Sequence, residues 1–189
     1  TEVPVARSGI LDVDALGAAL ASHDPADGLP LVAVMLVNNE TGIIQPIQEI
    51  SAVVKKSGGL LVVDAVQAAG RIPLSIGELG ADFLILSAHK LGGPKGVGVL
   101  VSRGETLMPE PLVRGGGQEK GHRAGTENLA AIAGFGAAAR EMAAGLVERN
   151  ASVSALRDRA EQAMLSVAPD TVIYGRGEAR VGNTSFFHL

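Results

Sequence analysis

Four short stretches of this 189-residue sequence set polar or reactive side chains among turn-forming residues: "NNETG" from Asn38, "DAVQ" from Asp64, "SAHK" from Ser87 and "GTEN" from Gly125. Lys90 is the most reactive candidate. An amine kept from water beside other positive charge has a lowered pKa and becomes a nucleophile that condenses with a carbonyl. Ser87 and His89 stand beside it in the chain. The plainer reading is a solvated lysine, which most lone lysines are. Gly92, Gly93, Gly96 and Gly98 follow; they let backbone approach a ligand closely, or they simply build a hairpin turn.

Asp64 closes the apolar run "LLVVD". Its carboxylate could bind magnesium, cap a helix, pair with a cation, or face a pyridinium nitrogen and keep it protonated. Gln67 lies three residues on and reaches the same pocket if "AVQA" begins a helical turn. Asn39 sits in a stretch that reads as a turn, and its amide could also donate to a conjugated oxygen. Thr126 is a plausible N-cap, but helix N-termini also attract phosphate, and Ser87 and His89 could add donors. The preceding "RGGGQEKGHRAG" is either a lid or a solvated loop. A lysine nucleophile, a carboxylate for a ring nitrogen, phosphate donors and an amide for an oxygen together meet the requirements of pyridoxal phosphate (PLP).

Something must carry these groups to one place. "LVAVMLV" from Leu31 to Val37, "LLVVD", and "FLILSAHK" ending at Lys90 read as short buried strands. Asp64 follows Asn39 by 25 residues and Lys90 follows Asp64 by 26, a length that fits parallel crossovers. Parallel strands end on one edge, and ligands bind there, so the first three stretches should converge on one crevice. "GVGVLVS" follows too soon for a crossover and should run antiparallel. "DVDALGAALAS" and the stretch from Pro46 to Gly58 read as helices, with a short helical piece at "SIGELG". Residues from Asn128 to about Val167 form a long Ala-rich helical pattern, weakly interrupted near "RNAS". "TVIYGRG" and "VGNTSFFHL" read as strands. A domain boundary is expected near Gly145 to Arg149, leaving 1–145 in a large domain and 146–189 in a small one.

The bulk composition narrows the function classes. Hydrophobic residues make up 47% and charged residues 19%, a globular balance. The net charge of −4 offers no electrostatic case for nucleic acid or an anionic membrane. No apolar run reaches the roughly 20 residues of a membrane helix. There is no cysteine, which excludes disulfides and cysteine-bound metal, and the four histidines lack ligand spacing.

"NNETG", "DAVQ", "SAHKLGGPKGVGVL" and "RGGGQEKGHRAGTEN" closely resemble the NifS/IscS-type cysteine desulfurases of the class V aminotransferases, in order and spacing, from about Leu31 to Leu189. The resemblance implies an α/β fold: the large domain of PLP-dependent transferase fold type I, mostly parallel with helices on both faces, plus the start of a small α+β domain. It implies that Lys90 holds PLP and shuttles protons. Asp64 would face the pyridine nitrogen and Gln67 the phenolic oxygen, with Asn39 near that oxygen and the substrate carboxylate. Ser87 and His89 would hold the phosphate, and Thr126 would reach the phosphate of the partner's cofactor in a homodimer. The implied reaction converts L-cysteine to L-alanine and leaves a persulfide on an enzyme cysteine, for an iron–sulfur scaffold or another acceptor, in the cytoplasm. The sequence departs from that pattern. It lacks the persulfide cysteine, the family's N-terminal phosphate loop and ring-stacking histidine, and the C-terminal arginine for the substrate carboxylate. It therefore reads as an internal fragment of about half an enzyme, with no complete cycle of its own. Two alternatives are another class V aminotransferase or lyase, and a non-catalytic chain that acts as an interaction module.

Overall fold

The computed structural model describes residues 1–104 and 108–189. Three parallel strands and one antiparallel strand form a sheet in sequence order: β1 (Leu31–Met35), β2 (Leu60–Asp64), β3 (Phe83–Ser87) and β4 (Gly98–Ser102). The crossover from β1 to β2 contains helix α2 (Ile47–Lys56), and that from β2 to β3 contains only the one-turn α3 (Ile76–Leu79). Apolar spacing along α2 buries Ile47, Ile50 and Val54, and Lys55 and Lys56 suit the negative end of its dipole. Helix α1 (Val13–Ala21) packs on α2; its N-cap Asp12 accepts the Ala15 N–H at 2.9 Å. Leu16, Leu61, Val63 and Leu84 join Ile50 and Val54 in one core.

That core covers one face of the sheet. Leu61 and Val63 are buried, whereas the opposite side of β2 is half-buried and Ile85 and Leu100 are exposed. Two expectations change here. The first strand is not fully buried: it is an edge strand, it ends at Met35, and Leu31 is 62% exposed. The third strand ends at Ser87, and one 3-10 turn (Ala88–Leu91) then carries Lys90 beyond the sheet.

The long helical stretch is two helices, α4 (Leu129–Ala143) and α5 (Leu146–Val167), bent by 75°. The break falls at Ala144–Gly145, not in "RNAS", which stays helical. Gly145 takes φ 62°, open to glycine at little cost, and Arg149 donates to the carbonyls of Ala144, at 2.9 Å, and Met142. The cap of α4 is Asn128, whose Oδ1 accepts the Ala131 N–H at 3.2 Å, rather than Thr126. The last two expected strands shrink to a two-residue pair, β5 (Val172–Ile173) with β6 (Phe187–His188). No single described helix is long and apolar enough to cross a membrane.

Candidate functional site

Met35, Asp64 and Ile85 lie side by side across β1, β2 and β3, so the three parallel strands deliver their C-terminal ends to one edge. Side chains alternate along a strand, which puts Ser87 on the face of Ile85 and hence of Asp64. On this face Ile85 is exposed, Asp64 and Ser87 are half-buried, and Phe83 is buried. The chain leaves β2 in a tight turn closed by the N–H groups of Ala68 and Ala69, each donating to the Ala65 carbonyl at 3.0 Å. Asp64 Oδ1 accepts the Val66 N–H at 2.9 Å, and its second oxygen has no partner among the described residues. Gln67 sits half-buried in this turn, and its side-chain amide has no hydrogen-bond partner among the described residues.

Past β3, Ala88 and Leu91 are buried and anchor the 3-10 turn, while His89 and Lys90 face solvent. Gly92 ends the turn at φ 88°. Ser87 Oγ and His89 Nδ1 lie 3.0 Å apart, a hydroxyl–imidazole pair directed by the same strand end. Gly98 pairs with Ser87 across the hairpin, and a Cβ there would sit 2.8 Å from the Leu86 carbonyl oxygen, so β4 approaches only because that residue is glycine.

Sequence reasoning missed Arg71. Its guanidinium donates to the Gln67 carbonyl at 2.9 Å and to the Lys90 carbonyl at 3.4 Å, tying the two turns together. Burial lowers its pKa from the usual guanidinium range. A cleft of about 290 Å³ opens beside Lys90, walled also by Gly70, Arg71, Met142, Arg149 and Asn183. Asp64, Gln67, Ser87 and His89 are not among its walls; Lys90 is the residue common to the cleft and the sheet-edge group.

Asn39 occupies an exposed turn that follows β1. Its neighbour Asn38 organises the turn: its Oδ1 accepts from the Glu40 and Thr41 N–H groups at 3.0 and 2.9 Å and from the Thr41 hydroxyl at 3.1 Å. Asn39's own amide is left free of the described chain. Thr126 is exposed as well. Its carbonyl accepts from Arg123 at 3.5 Å, and no hydrogen bond joins it to Ser87 or His89.

The donor set suits PLP. A carboxylate with one free oxygen matches a protonated ring nitrogen, a paired hydroxyl and imidazole match a phosphate, and an exposed primary amine matches the aldehyde.

The aminotransferase class-V family model matches residues 1–188, and the chain belongs to that family, whose members are PLP-dependent. It is 43% identical over 178 residues to a cysteine desulfurase of Enterobacter agglomerans, covering 94% of this chain and 44% of that protein. It is 40% identical over 184 residues to the cysteine desulfurase NifS of Azotobacter vinelandii, covering 97% of this chain and 44% of the relative. Its fold superposes on a NifS-like protein from Rickettsia africae with a TM-score of 0.90 at 36% identity, over 98% of this chain and 50% of the other. The chain thus spans about half the length of the relatives it matches.

Proposed function

We propose that this chain is part of a PLP-dependent cysteine desulfurase. The observation that carries the reading is the convergence of Asp64, Gln67, Ser87, His89 and Lys90 at the ends of two adjacent parallel strands, in a chain 40–43% identical to named desulfurases. PLP, when bound, supplies an electron sink for bond cleavage at the substrate.

The residues divide the work. Lys90 holds the aldehyde carbon and moves the proton at the substrate's α-carbon through Nζ. Asp64 presents its free oxygen to the ring nitrogen and holds a proton there. Gln67 donates to the ring's phenolic oxygen, and Asn39 orients that oxygen and the substrate carboxylate. Ser87 and His89 fix the phosphate. Thr126 reaches the phosphate site of a second copy, so a homodimer belongs to this reading. The reading keeps 1–145 in a large domain and 146–189 as the start of a small one.

The net reaction is L-cysteine plus a thiol giving L-alanine plus a persulfide. This chain has no cysteine, so the accepting thiol comes from elsewhere. The persulfide sulfur passes to an acceptor protein, such as an iron–sulfur scaffold, in the cytoplasm.

The test is alanine and persulfide formation from L-cysteine by the full-length, PLP-loaded protein. Production of both, lost in Lys90→Ala, is expected. Amino-group transfer to a keto acid without sulfur release would instead make it another class V enzyme.

A further inference from the structure

Away from the sheet edge, one carboxylate is buried on the opposite terms. Glu161 of α5 accepts from Arg180 Nη1 on Oε1 at 2.8 Å and from Nη2 on Oε2 at 3.0 Å; Oε1 also accepts the Ser185 hydroxyl at 2.7 Å. The two charged side chains are only 6% and 4% exposed. A two-toothed guanidinium–carboxylate pair sets angle as well as distance.

The segment it grips is attached to the Asn39 turn. The Ile44 N–H donates to the Ala179 carbonyl at 2.9 Å, and the Val181 N–H donates to the Gly42 carbonyl at 3.0 Å. Ile43 and Arg180 face each other in this short antiparallel pairing. Arg157, one turn before Glu161 on α5, donates to the Val181 carbonyl at 2.9 Å from the same side. Thr184 presses on Gly42, where φ is 72° and a Cβ would meet the Thr184 Cβ at 2.8 Å. Residues 42–44 are the return arm of the turn that presents Asn39.

A buried ion pair is a weak net stabiliser, because desolvation cancels much of its attraction. Apolar side chains of similar volume would hold α5 to this segment about as firmly. What they would not fix is the rotation of residues 179–181 and, through two backbone hydrogen bonds, the height of the Asn39 turn. We infer that Glu161 and Arg180 are positioning residues: their ion pair sets the register of the 179–181 segment and thereby places Asn39. The inference rests on the reading that Asn39 faces the cofactor and the substrate carboxylate.

The experiment is a double-mutant cycle on the full-length, PLP-loaded enzyme. It measures KM for L-cysteine, kcat, and the visible band of the bound cofactor in Asn39→Ala, in the apolar pair Glu161→Leu/Arg180→Met, and in all three changes together. The apolar pair is expected to fold, to load PLP, to raise KM by about 5- to 10-fold and to shift the band. In the Asn39→Ala background the same pair adds less than about 2-fold. An unchanged KM and band in the apolar pair, or effects that multiply in full, would overturn the inference and leave the desulfurase reading intact. If Asn39→Ala itself changes neither KM nor the band, the role assigned to Asn39 fails first and the inference falls with it. If the apolar pair does not fold, Glu161→Gln is read against the same criteria.

Discussion

Asp64 and Glu161 are both carboxylates held half or more out of water, yet they have opposite fates. Both oxygens of Glu161 are occupied by Arg180, and Oε1 also takes the Ser185 hydroxyl. Asp64 has one oxygen held by a backbone N–H and one without a partner among the described residues, on a sheet face that is half-buried along β2 and exposed at Ile85. The difference separates framework from site. A fully satisfied charge fixes geometry and has nothing left for a ligand. A half-satisfied charge at the end of a rigid strand is poised to meet one. The same contrast separates Asn38, saturated by its own turn, from Asn39 beside it.

Removing Glu161 should break the framework side with the largest effect. Glu161→Ala leaves Arg180 buried and unpaired, so unfolding free energy should drop by about 3–5 kcal/mol in a denaturant titration, with Glu161→Leu/Arg180→Met close to neutral. An unaltered midpoint in Glu161→Ala would mean that the pair is not a structural anchor. The other side is tested at Asp64. Asp64→Asn keeps the shape and loses the charge, so turnover should fall by about 10²–10³-fold with stability little changed. Equal losses of stability would mean that Asp64 is framework too.

The contrast also predicts a pH dependence. Burial pushes the Glu161 carboxyl up, but the hydrogen bonds from Arg180 and Ser185 and the charges of Arg180 and Arg157 outweigh it, leaving it below the usual carboxylate range. A depressed folded-state pKa contributes stability above the unfolded value, about 4.3, and that stability is lost as pH falls through the lower folded value. Glu161→Gln should flatten the acid limb of stability against pH below about 4. A limb of unchanged steepness would assign the acid sensitivity to other groups. The smallest effect is expected at the α4 cap: Asn128→Ala should cost about 1 kcal/mol and Thr126→Ala much less.

Where the candidate residues fall on the sheet was largely legible because short apolar runs end in polar turns. "LLVVD" and "FLILS" place their last residues at a sheet edge almost by arithmetic, and the brevity of "GGPKG" compels an antiparallel return. Exposure of β1 was not legible, since an apolar run looks the same on an outer strand as on an inner one. The sequence pattern points to the polar "RNAS" for the break because Gly145 lies in an Ala-rich run, and the carbonyls that Arg149 caps belong to the last turn of the preceding helix and its C-cap. Thr126 and Asn128 are both good cap residues two positions apart, and only the backbone path chooses between them. Arg71 and the Glu161–Arg180 pair depend on contacts across turns and elements, which no local pattern encodes.

The open sheet edge is proposed as a PLP site served by Lys90. That proposal is tested most directly by adding PLP to the full-length protein, reducing with borohydride, and mapping the modified peptide. A single pyridoxyl group on Lys90, absent in Lys90→Ala, is expected. A pyridoxyl group on Lys95, Lys55 or another lysine, with Lys90 unmodified, would contradict it.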